Sequence, residues 1–197
     1  MAFKQYSKLM GVTLYACGAP LIASAGSAEI IIGNHATTLD TKISASFSDN
    51  FSITGRTRAT VDYVQGSSFL QDTHFLYKLP YGFQLDGELQ ITQSVMPRFG
   101  FEWSHEFSSL FVYGLATYSL QDPYFAEFAV VLQWTPVVNS SNWYARIESI
   151  HDIGSTYIGD ERVWLGIQHD SFRSGFMMEI VHPSMENNTG IFAGVTF

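Results

Sequence analysis

Arginines set on one face of a strand do one kind of chemistry well: they hold carboxylates. Arg56, Arg58, Arg98, Arg146 and Arg162 all fall on the polar side of alternating stretches, and Lys42 and Lys78 share that parity. A guanidinium grips a carboxylate in a planar fork, while an ammonium supplies a point charge. If the strands close around a lumen, such a set makes an anion-preferring path. Asp62, Asp86, Glu88, Glu102, Glu127, Glu148 and Glu179 point the same way, however. Opposite charges can therefore pair and fill a narrow interior. Both outcomes hold together if an unpaired track of bases remains.

A second chemistry is available at His182-Pro183-Ser184, with Glu186 close behind and Asn187-Asn188-Thr189-Gly190 following. An imidazole beside a serine eases loss of the hydroxyl proton, and a carboxylate can orient the ring. The His-x-Ser pair near a barrel rim resembles the lipid A deacylases, small barrels with a Ser-His-Glu triad. That resemblance implies His182 as base, Ser184 as nucleophile and Glu186 as acid. The family's Asn-Ala-Gly-like continuation is missing, and Pro183 constrains the strand. His151-Asp152 and His169-Asp170 do not make dyads, because adjacent strand residues point to opposite faces; solvated loop ends suit them better. The histidines are dispersed, so no zinc spacing emerges. No glycine-rich loop opens a helix, so nucleotide binding has no support. No cofactor is expected.

The elements that must position these side chains are strands. Period-two alternation runs almost throughout, and no window keeps a helical apolar stripe beyond two turns. Ile43, Ala45 and Phe47 alternate with Lys42, Ser44 and Ser46, and Val61 and Tyr63 oppose Arg56, Arg58, Thr60 and Asp62. Phe83, Leu85, Leu89 and Ile91 alternate with Gln84, Asp86, Glu88 and Gln90. Phe99, Phe101 and Trp103 face away from Arg98 and Glu102; Trp143, Ala145 and Ile147 oppose Tyr144, Arg146 and Glu148. Val163, Leu165 and Ile167 oppose Arg162 and Gln168, and Phe176, Met178 and Ile180 oppose Glu179. The stretch from Leu110 to Tyr118 is apolar on both faces, and its parity stays open.

Composition sets the surroundings. The chain is 46% hydrophobic but only 14% charged, which suits strands that meet lipid with alternate side chains. Its net charge of −8 excludes a general nucleic-acid binder, which needs a basic stripe. The start has the parts of a signal peptide: Lys4 and Lys8, the apolar run Leu9 to Ala16, the breakers Gly18-Ala19-Pro20, and small residues at Ala23-Ser24-Ala25. Cleavage is expected after Ala25, with Ala28 as second choice, leaving 26–197 as the folded domain. Cys17 is the single cysteine and lies inside this segment, so the mature part can form no disulfide. Leu14-Tyr15-Ala16-Cys17 loosely resembles a lipobox, which leaves lipidation as an alternative.

Five polar turns carry an aromatic or large apolar residue on each side: Phe47 to Phe51, Tyr77 to Phe83, Trp103 to Phe111, Trp134 to Trp143, and Ile167 to Phe176. They recur roughly 30 residues apart, the length of a two-stranded unit with its loops. Aromatic rings at strand ends gain from sitting between lipid and water. The last strand sets Ile191, Ala193, Val195 and Phe197 on one face. A chain ending this way resembles the C-terminal signature of bacterial outer-membrane barrels, which implies that Phe197 is read by the barrel-assembly machinery. It also implies that the five turns are periplasmic, and that connections near 34–37, 65–68, 93–97, 119–123, 151–160 and 183–188 are external, the segment from His151 to Asp160 being the longest.

The expected fold is therefore all-β: an antiparallel, up-and-down transmembrane β-barrel of twelve strands, with ten or eight as alternatives. The first strand, Glu29 to Gly33, reads as short. A soluble antiparallel meander is the competing fold. The alternation, the export segment, Phe197 and the inward arginines together resemble the oligogalacturonate-specific-type monomeric porins. That resemblance implies a monomer in the Gram-negative outer membrane, in contact with lipid, passing small anionic solutes by passive diffusion. A lipid-deacylating enzyme and a structural or surface-interaction barrel with a plugged lumen are the alternative functions.

Overall fold

A computed structural model describes residues 23–92, 94–121, 125–138, 141–154, 157–184 and 186–197. The apolar core of the signal peptide and Cys17 lie outside the described residues. Alternating sequence becomes strand almost everywhere: β1 (Ala23–Gly33), β2 (Ala36–Ser46), β3 (Phe51–Asp62), β4 (Gly66–Lys78), β5 (Phe83–Ile91), β6 (Val95–Phe107), β7 (Leu110–Ser119) and β8 (Ala126–Trp134). A two-residue β9 (Val137–Val138) sits in a turn before β10 (Ser141–Ile153), β11 (Tyr157–His169), β12 (Phe172–His182) and β13 (Glu186–Thr196). The twelve long strands pair in sequence order and β13 pairs with β1, closing an antiparallel barrel.

Closure is held at both rims. Gly26 and Phe197 exchange backbone hydrogen bonds, Gly26 N to Phe197 O at 2.7 Å and Phe197 N to Gly26 O at 2.9 Å. At the opposite rim the Asn188 Oδ1 accepts from the backbone N–H of His35 (3.1 Å) and Ala36 (3.2 Å), tying β13 to the first hairpin turn. Because strands alternate in direction, Phe197 shares its rim with all five aromatic-flanked turns. We call this the terminal rim and the other the distal rim.

The pleat sorts the side chains. Ile43, Leu89, Phe99, Phe101, Val130, Leu132, Ile147, Leu165, Ile167 and Ile191 are exposed on the outer wall. Glu29, Asp86, Glu88, Arg98, Glu102, Arg146, Glu148 and Arg162 are buried inside it. That is the reverse of a water-soluble protein, and only hydrocarbon satisfies such an outer wall. A closed barrel with this apolar outer wall is an outer-membrane protein. Aromatic pairs such as Phe47–Phe51 and Phe83–Trp103, with centroids 6.0 and 6.5 Å apart, mark the terminal edge of the belt. Ile147 stands midway along β10, so Ile147→Arg puts a cation near the bilayer midplane. The expected cost is about 2–4 kcal/mol. It should be read as a lowered unfolding midpoint in lipid, with Ile147→Leu unchanged.

Two expectations need correction. The segment from His151 to Asp160 is not a long loop, since β10 and β11 run through it in register, His151 opposite Gly159 and Ile153 opposite Tyr157. Each of these strands has 13 residues, more than the roughly 9–11 that cross a bilayer; their polar ends extend past the lipid. His151 is therefore a strand residue and not a loop end. Its ring nitrogens contact Ser149 Oγ (2.7 Å) and Tyr157 Oη (2.6 Å) on the outward face. The first strand is also longer than read, with 11 residues starting at Ala23, three residues upstream of the expected cleavage point.

The unassigned strand has a parity. Leu115, Thr117 and Ser119 of β7 are buried inside while Tyr118 is exposed outside. Leu115 is thus one of a few inward apolar residues in this sector, with Leu76 on β4 and Ala129 on β8.

Candidate functional site

The interior is divided by ion pairs into two sectors and two cavities. On one side, β3 carries Arg56 and Arg58 inward. Asp40 of neighbouring β2 accepts from Arg56 at 2.5 Å. Arg56 also reaches Glu148 on β10 at 3.2 Å, and β10 stands six strands away from β3 in either direction around the ring. This pair spans the lumen. Arg58 makes a second such link, to Glu179 of β12 at 2.6 Å and Asp160 of β11 at 3.5 Å.

Glu148 is the hub of this network and is only 1% exposed. It takes Arg56, Arg162 at 2.7 Å, and Arg146 in a short contact. Arg162 goes on to Glu179 at 2.8 Å and contacts Asp160. A carboxylate that is fully desolvated needs such company, since an uncompensated buried charge costs several kcal/mol. The geometry makes each cation serve two carboxylates or each carboxylate serve several cations.

Beside the network lies an apolar cluster that narrows the lumen further. Ile31, Tyr144, Trp164, Met177 and Phe192 are buried together on β1, β10, β11, β12 and β13. Arg146 stacks over the Trp164 ring at 4.9 Å and Arg173 over Tyr144 at 5.3 Å, contacts in which a ring face attracts the cation. Glu29 ties the cluster's polar edges, accepting from Trp164 Nε1 at 3.0 Å and Arg173 Nε at 3.1 Å. Gly166 and Gly175 face each other here. A Cβ on Gly175 would lie 2.1 Å from the Leu165 carbonyl oxygen, so the two backbones approach closely only because both residues lack one.

The other sector, on β4 to β8 with one residue from β10, is acidic. Asp72, Asp86, Glu88, Glu102, Glu127 and Asp152 lie around two basic groups, Arg98 and His74. Arg98 pairs with Glu127 at 2.5 Å and stands 3.5 Å from Glu88. His74 Nδ1 lies 2.9 Å from Asp86 and 3.5 Å from Glu102. Buried carboxylate oxygens on Asp72, Asp86, Glu88 and Asp152 find no hydrogen-bond partner in the protein. Basic and carboxyl groups are thus nearly matched in number in the arginine sector, whereas six carboxyl groups face two basic groups in this one.

Two cavities flank the cross-lumen pairs. The one at the distal rim is about 990 Å³ and includes His35, Arg58, Asp62, Ser67, Glu179 and Asn187 in its wall. The one at the terminal rim is about 890 Å³ and includes Lys42, Arg56, His74, Glu102, Arg146 and Glu148. Arg58 with Glu179 belongs to the first, and Arg56 with Glu148 to the second. These four side chains form the septum between them.

Of the basic residues singled out in the sequence, Arg56, Arg58, Arg98, Arg146 and Arg162 all point inward and every one is paired. Lys42 borders the terminal cavity. Lys78 is exposed at the terminal rim, outside the narrow part. Asp62 sits at the distal edge, where its Oδ1 accepts from the N–H groups of Val64 (2.7 Å) and Gln65 (2.6 Å) and shapes the turn. Sequence reasoning missed Glu29, Asp40, Asp72, His74, Asp152, Asp160 and Arg173. Parity could have found Arg173, which lies an even number of residues from Glu179 on one strand. The Ser184 hydroxyl donates to the Val181 carbonyl at 3.2 Å; the Glu186 side chain lies outside the described residues. A serine–histidine contact does form elsewhere, between Ser149 and His151, with Tyr157 rather than a carboxylate on the second ring nitrogen.

No protein-family model matches the sequence, and no curated protein is detectably similar to it. Among solved structures the chain is similar to the KdgM porin, at 13% identity and a TM-score of 0.56, over 88% of this chain and 98% of that one. It is equally similar to the KdgM porin in complex with disordered oligogalacturonate, at 13% identity and a TM-score of 0.57 with the same coverage. At this identity the likeness speaks for the fold, and it agrees with the closed twelve-strand barrel.

Proposed function

We propose that this barrel is an outer-membrane channel for passive passage of small solutes, with carboxylate-bearing solutes as the favoured class. The observation that carries the reading is the septum. Arg56 and Arg58 reach across the lumen between two cavities, and each already holds a carboxylate there. A solute carboxylate arriving from either cavity can take the place of Glu148 or Glu179, each held by a single guanidinium nitrogen, one charge-assisted pair replacing another. Exchange of this kind costs far less than stripping a bare guanidinium, so the arginines act as relay points rather than as traps. Conduction through a filter needs sites that bind and then release. Support also comes from the solved neighbour described in complex with oligogalacturonate, an acidic sugar polymer.

Liposome swelling tests the reading. Vesicles carrying the protein should take up a small sugar acid faster than its neutral sugar counterpart of equal size. Equal rates would remove the carboxylate preference, and no uptake of either would remove the channel.

A second reading has its own observation. Cross-lumen ion pairs beside a packed apolar cluster are also what a plugged, purely structural barrel would contain. Solute flux decides between the two.

A further inference from the structure

The acidic sector holds a group of side chains that the passage of solutes does not need. His74 on β4, Asp86 on β5 and Glu102 on β6 come from three consecutive strands, and their ligating atoms all lie within 4.8 Å of one another. His74 Nδ1 stands 2.9 Å from Asp86 Oδ2 and 3.5 Å from Glu102 Oε1. That ring nitrogen carries at most one proton and can donate it to only one of the two carboxylates. Donors each about 2.0–2.2 Å from one metal ion sit roughly 3–3.5 Å from each other; the two separations from His74 match this, and the two carboxylates lie within 4.8 Å of each other.

An independent feature points to a cation. Asp86 is 0% exposed, and its Oδ1 has no hydrogen-bond partner in the protein. Burying an ionised carboxylate oxygen without a partner is costly, and a bound cation removes that cost. Nearby, Asp72 Oδ1 also has no hydrogen-bond partner in the protein, and Glu88 Oε2 has only Arg98 Nη1 at 3.5 Å. The Tyr113 hydroxyl donates to Glu102 Oε1 at 3.0 Å, the kind of outer contact that orients a metal-binding carboxylate. His74, Glu102 and Tyr113 all border the terminal cavity, which gives an ion a route in.

We infer that His74, Asp86 and Glu102 form a binding site for one divalent first-row transition-metal ion inside the lumen. One imidazole nitrogen with two carboxylates suits a zinc-class ion better than calcium or magnesium, which prefer all-oxygen shells. Among the described residues this is the one such group. The bound ion neutralises part of the acidic sector and ties β4, β5 and β6 together across the wall. The site does not depend on whether the barrel conducts.

The test uses the whole protein in detergent, stripped with a chelator and dialysed, then titrated calorimetrically with zinc. One equivalent should bind per chain. In His74→Ala, and separately in Glu102→Gln, affinity should fall roughly tenfold or more. His169→Ala, which removes an exposed histidine at the terminal rim, should bind as the parent does. Heat-modifiable gel migration confirms that each variant is a folded barrel. Cobalt supplies a readout on the unaltered protein: the stripped sample should acquire visible d–d absorption from nitrogen and oxygen ligands, and zinc should abolish it. Absence of a stoichiometric zinc site, no cobalt spectrum, or equal affinity in folded His74→Ala would each overturn the assignment.

Discussion

Glu148→Gln is expected to lower barrel stability by about 3–5 kcal/mol, the cost of removing one partner from a buried ion pair. The hub carboxylate compensates Arg56, Arg146 and Arg162 at once. The amide that replaces it keeps one acceptor oxygen, turns the other into an NH2 donor and carries no charge. Arg162 retains Glu179, and Arg56 retains Asp40. Arg146 has no other carboxylate contact among the described ion pairs, so most of the loss should fall on it. Denaturant unfolding in detergent, followed by gel mobility, reads the effect. The double variant Glu148→Gln with Arg146→Ala should recover part of it, because the orphaned charge goes with its partner. A loss under about 1 kcal/mol, typical of solvated surface pairs, would mean that water reaches this network freely.

Arg56→Ala with Arg58→Ala should have the largest effect on transport. The substitution removes both cations that span the lumen and leaves their carboxylates on the far wall, where Arg162 still holds Glu148 and Glu179. The two cavities then merge through a wider and more negative gap. A unit charge at contact distance contributes about 1 kcal/mol in a water-like dielectric, so two together, about 2 kcal/mol, shift the anion-to-cation permeability ratio roughly thirtyfold toward cations. A reversal potential across a salt gradient measures that shift. The preference for a sugar acid over its neutral counterpart should vanish with it. An unchanged ratio would make Arg56 and Arg58 structural only.

The wall of the barrel was legible in the sequence because a strand's period of two converts directly into inside and outside. Ile43, Phe101, Ile147 and Leu165 are on the lipid face and Arg56, Arg98, Glu148 and Arg162 on the inner face, as their alternation implies. The aromatic-flanked turns and the strand count followed from the same pattern. What lies across the lumen was not legible. Arg56 and Glu148 are 92 residues apart, and Arg58 and Glu179 are 121 apart; their meeting depends on closure and stagger, which local pattern does not encode.

The apolar filling was harder still. Tyr144, Trp164, Met177 and Phe192 stand at inward parity, but their type is the one expected against lipid. Only their polar edges and the arginine faces above them make burial in the lumen favourable. His74, Asp86 and Glu102 belong to three strands, so no linear spacing exposes them, and a search for zinc motifs passes over the site. The segment from His151 to Asp160 read as loop because it is polar, yet strands that outrun the bilayer are polar at their ends for the same reason.

A channel and a plugged barrel differ in whether the septum is a passage. Single-channel recording in planar bilayers, with the parent protein and Arg56→Ala/Arg58→Ala measured side by side, asks this most directly. A small but discrete conductance in the parent, enlarged in the double variant, is the predicted result. Silence from both, in protein shown to be a folded and inserted barrel, would contradict it and leave a plugged structural barrel in its place.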